Sequence, residues 1–599
     1  MKKYLFLLLA VASITLSQAQ LRNDVKQMSL GGVMGQRMNA NTEQWMLTAP
    51  YANPGMLEMY NRRNDQHQIM VKWYGEFSGK YLTSAALIYS MTRDERLLET
   101  INYVVEQLAK VQDKDGYLGV WPDHMKLTGY APGGLGKTWD AWSHYHNILG
   151  LYYCYKLAGN DLAREVMLKA ADCLYQHFGV EKNLIDEDKD GTDSAIGHTF
   201  ALLYQLTGEE RYRQMIDLTF DTFASEQGGD YYRAGLAGTP FFEMKRHRWE
   251  CLHAIELIRE MERMTGEADY RTAFTNIWKS VQQFDRHNTG GFSSGEAACG
   301  NPYDTRAIET CCTIAWMALC VDMLDMCDDS RVADELELST WNALIGAQHP
   351  SGRNFTYNTP MLGDKKASGH NIVFQAIAGS SELNCCSVNG PRGFGMISQW
   401  GMLVDDNTLT INYYGESTTT LNTANGKTVT VTQTGGYPFD GNIALNIKGK
   451  GVKTLRLRIP EWSRNTVVTR GGTEIAGVKS GKYLVLENVK GSENISIKFD
   501  MTPRFWYGER NLEGNVSIYQ GPILLTLDQR FDAESYNSKQ PIDVATLKLQ
   551  AITSTNNIWP EPVLLVKATD QQGHTFTLCD FASAGQTGTS YTTWIPLAK

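Results

Sequence analysis

Two adjacent cysteine pairs, one of them preceded by a glutamate, offer the clearest chemistry in this 599-residue chain: Glu309-Thr310-Cys311-Cys312 and Cys385-Cys386. Neighbouring cysteines rarely bridge each other, because a disulfide needs Cα atoms about 4.4–6.8 Å apart with suitably directed Cβ vectors. Three thiolates and one carboxylate can instead complete a closed tetrahedral zinc site. One cysteine of the four is then spare. A thiolate held on zinc is also a potential nucleophile, so the pattern accommodates a catalytic thiolate, a structural zinc knot or simply buried thiols. Glu309 and Cys311 are two apart, and an α-helix would point them in nearly opposite directions. They read as the irregular entry to an apolar helix beginning near Thr313, where the helix dipole favours a thiolate.

The elements that must position these groups are helical. From about residue 55 to 350 the sequence repeats amphipathic helix, short polar turn and second helix, with turns at Thr92-Arg93-Asp94, Ala158-Gly159-Asn160, Thr207-Gly208-Glu209, Thr265-Gly266-Glu267 and Cys327-Asp328-Asp329. Each precedes a segment with apolar residues at helical spacing, as in Leu97, Ile101, Val104, Val105 and Leu108. Five hairpins, and a sixth drawn from the flanking segments, predict a closed (α/α)6 barrel, with an open solenoid as the alternative.

Near residue 400 the texture changes to period-two alternation, as in Leu409-Thr410-Ile411-Asn412-Tyr413 and Thr428-Val429-Thr430-Val431, with Gly, Asn and Asp clustered between. Val452 to Ile459, Tyr483 to Leu486 and Ile495 to Phe499 continue it, and Val516 to Leu527 opens a second β unit. The expected organisation is an export signal at 1–19, a barrel at 20–400, a β-sandwich at 401–505 and a second sandwich or extension at 506–599.

Lys2-Lys3, the apolar run Leu5 to Ile14 and Ser17-Gln18-Ala19 read as that export signal, with no cysteine nearby for a lipid anchor. The mature protein is therefore expected to be periplasmic or secreted, without a membrane span. A net charge of −10 with no long basic run argues against a nucleic-acid partner, and 14 Trp and 29 Tyr hint at a carbohydrate handler. Of the 11 cysteines, Cys154, Cys173, Cys251, Cys299, Cys320, Cys327 and Cys579 read mostly as small buried hydrophobes.

Glu309-Thr310-Cys311 and Cys385-Cys386-(x)2-Asn389-(x)2-Arg392 resemble the β-L-arabinofuranosidase family, glycoside hydrolase family 127 and its relatives. The resemblance extends through Gly290-Gly291 leading to Gly295-Glu296, through His146, His198 and His247, and through Tyr437-Pro438-Phe439-Asp440-Gly441, Arg458-Ile459-Pro460-Glu461-Trp462 and Gly521-Pro522. It implies a zinc-dependent cysteine glycosidase. Glu309, Cys311, Cys385 and Cys386 would hold Zn2+, with Cys385 also the nucleophile and Glu296 the acid/base. His146, His198 and His247 would bind the sugar hydroxyls, and Tyr357 would make contact near the nucleophile. Cys312 has no role in the motif and reads as a packed thiol.

The sequence departs from the family pattern at Ser387-Val388, after the cysteine pair, and at Arg306-Ala307-Ile308, before the glutamate. These changes bear on the glycone more than on the reaction. The leading expectation is a retaining exo-glycosidase acting on plant polysaccharide or oligosaccharide, with β-L-arabinofuranoside as substrate; another pectic sugar is the alternative glycone. Two further readings compete: a barrel lyase or unsaturated-uronyl hydrolase with a merely structural zinc, and a non-catalytic glycan-binding protein.

Overall fold

The computed structural model describes residues 24–598 apart from 65–70, 128–135, 187–189, 294, 366–381 and 554–560. The expected export signal lies outside the described residues.

The helical hairpins turn where the sequence placed them, and four of the five turns share a left-handed residue after the first helix, whereas Thr310–Met326 leaves through extended Cys327. Phe77–Thr92 ends on Arg93 in the left-handed region, and Asp94 then caps Glu95–Val111 by accepting from the Arg96 N–H. Gly159, Gly208 and Gly266 take the same left-handed position after Asp140–Ala158, Ile196–Thr207 and Cys251–Thr265. The second helix of each pair is amphipathic: Leu97, Ile101, Val104, Val105 and Leu108 are all buried along Glu95–Val111. The first helix is not. Every residue from Phe77 to Met91 is buried, as a helix enclosed on all sides requires.

Those enclosed helices form a ring. Phe77–Thr92 packs on Asp140–Ala158, which meets Ile196–Thr207, then Cys251–Thr265, then Thr310–Met326, then Arg392–Trp400, which returns to Phe77–Thr92. The sixth inner helix thus comes from the segment just after the cysteine pair. The first two cross in backbone contact, because a Cβ on Gly79 would lie 2.2 Å from the His146 carbonyl and one on Gly150 2.4 Å from the Gly79 carbonyl oxygen. This crossing presses Lys80, Trp142 and His146 into the centre of the ring.

Three larger sheets follow. Thr428–Thr434 and its neighbours alternate buried and less buried positions in a seven-stranded antiparallel sheet, and a separate four-stranded sheet contains Thr454–Ile459 and Thr408–Ile411. Asn515–Gln520 and Ile523–Asp528 form a hairpin within a third, nine-stranded sheet. Two strands cross the sequence boundaries. Val25–Leu30 joins the seven-stranded sheet beside Ser417–Asn422, and Leu362–Asp364 pairs with Ser590–Thr592 in the third. The first described element, Val25–Leu30, therefore belongs to a β layer and not to the helices.

Helix Ser330–Leu338 docks the helical domain onto the β layers. Its Glu337 and Asp334 accept from the fully buried guanidinium of Arg458, Glu337 also accepts from Trp462 Nε1 at 3.3 Å, and Asp334 from the Glu461 N–H at 2.9 Å. Among the described residues no helix is long and apolar enough to cross a membrane. All eleven cysteines are free thiols, with Cys154, Cys251, Cys320 and Cys579 buried as small apolar groups.

Candidate active site

Glu309 forms a short strand with Ile308, paired with Asn358-Thr359, and becomes the N-cap of helix Thr310–Met326. Cys311 therefore sits in the first helical turn, because the helix begins at Thr310 and not near Thr313, so Cys311 is helical instead of lying on an irregular entry. Cys385 and Cys386 open a second short helix, Cys385–Asn389, capped by Asn384, whose side chain accepts from the Cys386 and Ser387 N–H groups at 2.8 and 2.9 Å. Two helix N-termini thus converge, each directing positive dipole ends at sulfur.

The four ligand atoms of Glu309, Cys311, Cys385 and Cys386 all lie within 4.8 Å of one another, and all four residues are buried. Cys385 Sγ lies 3.6 Å from both Glu309 Oε1 and Cys386 Sγ, and Cys386 Sγ lies 3.5 Å from both Glu309 Oε1 and Cys311 Sγ. A tetrahedral zinc with Zn–S near 2.3 Å and Zn–O near 2.0 Å demands ligand separations of roughly 3.5–3.8 Å. The donor set and its spacing fit that ion. Cys312 is buried in the core, as expected of a packed thiol, and its Sγ also lies 3.6 Å from the other oxygen of the same carboxylate, Glu309 Oε2.

A buried cation backs the cluster. Lys80 Nζ lies 3.8 Å from Cys311 Sγ and 2.7 Å from Glu76 Oε1, with only 1 % of its side chain exposed. Burial opposes its charge, but the neighbouring Cys311 and Glu76 anions outweigh that and keep Lys80 an ammonium. Glu76 also accepts from Trp142 Nε1, and burial pushes its carboxyl up to about 7 against the pull of Lys80.

Cys385 and Glu309 open into a cavity of about 260 Å³ that also exposes Glu296, Tyr357, Glu76 and Arg248, with walls from Trp73, Trp139 and Trp249. Glu296 is presented by a loop in which Ser293, Gly295 and Glu296 all adopt positive φ, 68° at Glu296. Such backbone costs about 1–3 kcal/mol at a non-glycine residue and gathers at functional sites. Two contacts hold the carboxylate, with Tyr357 Oη donating to Oε1 at 2.6 Å and Arg248 to Oε2 at 3.1 Å, and the Trp249 N–H holds the residue's backbone by donating to its main-chain oxygen at 3.1 Å. Burial and the surrounding anions, Glu309 first, raise the Tyr357 pKa far above its usual value, so the phenol is a neutral donor.

Cys385, Glu296, Glu309 and Tyr357 thus share one cavity, whereas none of the three histidines lines it. His146 is buried behind Trp142, their rings edge to face at 4.4 Å, with its Nε2 lacking a hydrogen-bond partner. Burial, then the charge of Lys80, holds its pKa well below 6.5. His198 lies 2.8 Å from Glu256 and 3.2 Å from the Tyr145 hydroxyl, lining a separate small cavity. Burial opposes its charge, but Glu256 prevails and raises its pKa. His247 caps the Met244 carbonyl through Nδ1 at 2.9 Å, and its own carbonyl accepts from the Ala298 N–H at 2.9 Å, steadying the Glu296 loop. Sequence reading passed over Glu76, Lys80, Arg248 and the tryptophan walls. The available signal was a lone lysine in the otherwise uncharged stretch Phe77–Thr92, four residues after Glu76.

The sequence of the chain matches the family description "Beta-L-arabinofuranosidase, GH127 catalytic domain" over residues 19–399 and "Beta-L-arabinofuranosidase, GH127 middle domain" over residues 408–501. The chain belongs to this glycoside hydrolase family. It is 24 % identical over 500 residues, 75 % of this chain and 74 % of the relative, to a non-reducing end β-L-arabinofuranosidase of Bifidobacterium longum subsp. longum. Its fold matches that of a GH127 β-L-arabinofuranosidase from Geobacillus stearothermophilus T6 with a TM-score of 0.71, at 21 % identity, covering 96 % of this chain and 100 % of that one. A further GH127 β-arabinofuranosidase superimposes with a TM-score of 0.76 at 19 % identity over 96 % of this chain and 98 % of its own. As a GH127 member, the protein is a glycoside hydrolase with a helical catalytic domain and a C-terminal β-sandwich region.

Proposed function

We propose that this hydrolase is an exported, retaining exo-β-L-arabinofuranosidase of plant glycans, with the Cys385 thiolate as nucleophile. One observation carries the reading: Cys385, at the edge of a buried cluster of one carboxylate and three thiols, and Glu296, clamped by Tyr357 and Arg248, open into the same cavity. At about 260 Å³, that cavity is below the range of about 300–1,000 Å³ typical of drug-sized ligands, which suits a single terminal sugar ring. The relative from Bifidobacterium acts, by its description, at non-reducing ends.

Glu309, Cys311, Cys385 and Cys386 would hold Zn2+, whose chemistry is to stabilise Cys385 as a thiolate at neutral pH. The Cys385 sulfur attacks the anomeric carbon as the glycosidic C–O bond breaks, and Glu296 gives its proton to the departing oxygen. The resulting thioglycoside is then attacked at the same carbon by water. Glu296 takes the water's proton, and Cys385 leaves as thiolate. Two inversions give retention, with cysteine in place of the usual second carboxylate. Tyr357 and Arg248 keep the Glu296 carboxyl aimed through both steps.

The test is nitrophenol release from an aryl β-L-arabinofuranoside by wild type and by Cys385→Ala at verified zinc content. Turnover by the wild type, lost in a folded, zinc-loaded variant, supports both sugar and nucleophile. Activity surviving in that variant removes Cys385 from the role, and no turnover by zinc-loaded wild type removes the sugar.

A further inference from the structure

Glu76 stands outside the metal cluster and is distinct from the acid/base residue Glu296, yet it forms part of the cavity that both face. It ends the turn Tyr74–Glu76 and leads directly into the enclosed helix Phe77–Thr92, so its backbone is fixed by the core of the ring. Its side chain is 2 % exposed. One oxygen accepts from Lys80 Nζ at 2.7 Å and the other from Trp142 Nε1. Above about pH 7 the group is ionised, and an ionised carboxylate has about four acceptor positions, so two remain, one on each oxygen, and the carboxylate borders the cavity. The two protein donors fix the plane of the carboxylate. Lys80 is itself anchored, with its ammonium 5.6 Å from the Trp142 ring centroid and 5.1 Å from that of Trp249.

A partner needed only to neutralise Lys80 could be sealed off from the cavity. This one borders it, with unused acceptors. Neutral hydroxyls are the ligand chemistry that fits: they donate to an anion in short, strong hydrogen bonds and bring no charge to bury. Two oxygens in one rigid plane match two adjacent hydroxyls on one ring. Acceptor pairs of this kind discriminate sharply against analogues lacking the donor, since the buried carboxylate is then left with fewer partners.

We infer that Glu76 is the glycone-recognising acceptor of this cavity, taking hydrogen bonds from two vicinal hydroxyls of the sugar. It is thus a specificity-determining residue that touches substrate. The inference rests on the cavity being the glycone pocket, as proposed above.

The test is calorimetric binding of methyl 1-thio-β-L-arabinofuranoside and its 2-deoxy, 3-deoxy and 5-deoxy analogues to the full zinc-loaded protein. Wild type, Glu76→Gln and Glu76→Asp are compared, each checked for an unchanged circular dichroism spectrum. Wild type is expected to bind two of the three deoxy analogues about 10- to 100-fold more weakly than the parent, the range for hydrogen bonds to a charged group. The two are the vicinal positions, 2 and 3. In Glu76→Gln the parent weakens by a similar factor, and removing either hydroxyl then costs little more, the signature of a direct contact. Glu76→Asp, with its carboxylate drawn back by one methylene, should fall between. Equal binding of the parent and the 2- and 3-deoxy analogues by wild type overturns the inference without any variant. So does an equal loss for parent and deoxy sugars on substitution. If wild type ignores these furanosides but binds another methyl 1-thioglycoside, the arabinofuranose assignment falls, and the same cycle on that sugar decides Glu76 separately. Binding of no thioglycoside at all overturns both.

Discussion

The Tyr357 hydroxyl donates to Glu296 Oε1 at 2.6 Å. Tyr357 precedes the strand Asn358-Thr359 that pairs with Ile308-Glu309, and its carbonyl accepts from the Thr310 N–H at 2.9 Å. The acid/base residue is therefore referenced, through one phenol, to the backbone that carries the first ligand of the metal cluster. Tyr357→Phe deletes that link and little volume. It is expected to lower kcat by about 10- to 100-fold, the worth of one hydrogen bond to a charged group, with KM for an aryl glycoside and the melting temperature nearly unchanged. A loss confined to KM would show that the phenol binds the sugar instead of aiming Glu296.

Cys312 supplies a second prediction. Its sulfur lies 3.6 Å from Glu309 Oε2, on the far side of the carboxylate from Cys385 and Cys386. A thiol there orients the liganding carboxylate, and such outer contacts are worth about 10- to 100-fold in metal affinity. Thiols are weak donors, so Cys312→Ala is expected to weaken zinc binding about 10-fold in competition with a chelator, while Cys312→Ser, which keeps a donor, retains it. Equal affinities in all three proteins would reduce Cys312 to packing.

How far the sequence foretold this arrangement depends on which physics each residue obeys. The hairpin turns were legible because left-handed glycines and Asp or Asn caps answer to local backbone geometry. The cluster was legible because Glu-x-Cys and Cys-Cys are rare and chemically committed. Val25–Leu30 escaped because its pairing with Ser417–Asn422 spans some 390 residues of chain, and nothing local marks a partner so distant. The histidines show the opposite limit. His146 and His198 sit on inner helices as expected, but a helix enclosed on all sides carries no periodic signal of which residue faces the cavity. Glu76 and Lys80 were hidden for the same reason: their shared environment comes from the glycine crossing of two helices.

Arg458 tests the docking of the domains. Its guanidinium is 0 % exposed and bonds Glu337 and Asp334 on helix Ser330–Leu338, with side chains 2 % and 15 % exposed. Removing one partner of a buried ion pair leaves the other charge uncompensated, at a cost of about 3–5 kcal/mol. Arg458→Met should therefore lower the denaturation midpoint substantially, and adding Glu337→Gln should recover part of the loss. An unchanged midpoint for the single variant would mean that the packed sheets alone hold the domains together.

The last prediction concerns pH. Lys365 follows the strand Leu362–Asp364, which joins the helical domain to the third sheet, and its ammonium nitrogen donates to the Phe581 carbonyl at 2.7 Å over the Phe581 ring. Burial drives its pKa from 10.5 down to about 7, although Cys579, Asp580 and Asp528 pull the other way. In the unfolded chain the same amine keeps its proton up to about 10.5. Between pH 7 and 10.5 the unfolded state therefore binds more protons, and this lysine's contribution makes stability rise with pH across that window. Below about pH 7 both states are protonated, and the full cost of burying the charge is present. Scanning calorimetry at a fixed heating rate should show the melting temperature of wild type gaining on that of Lys365→Met as the pH is raised from 7 to 9. Parallel profiles for the two proteins would mean that Lys365 keeps its proton in the fold, its neighbouring carboxylates outweighing its burial.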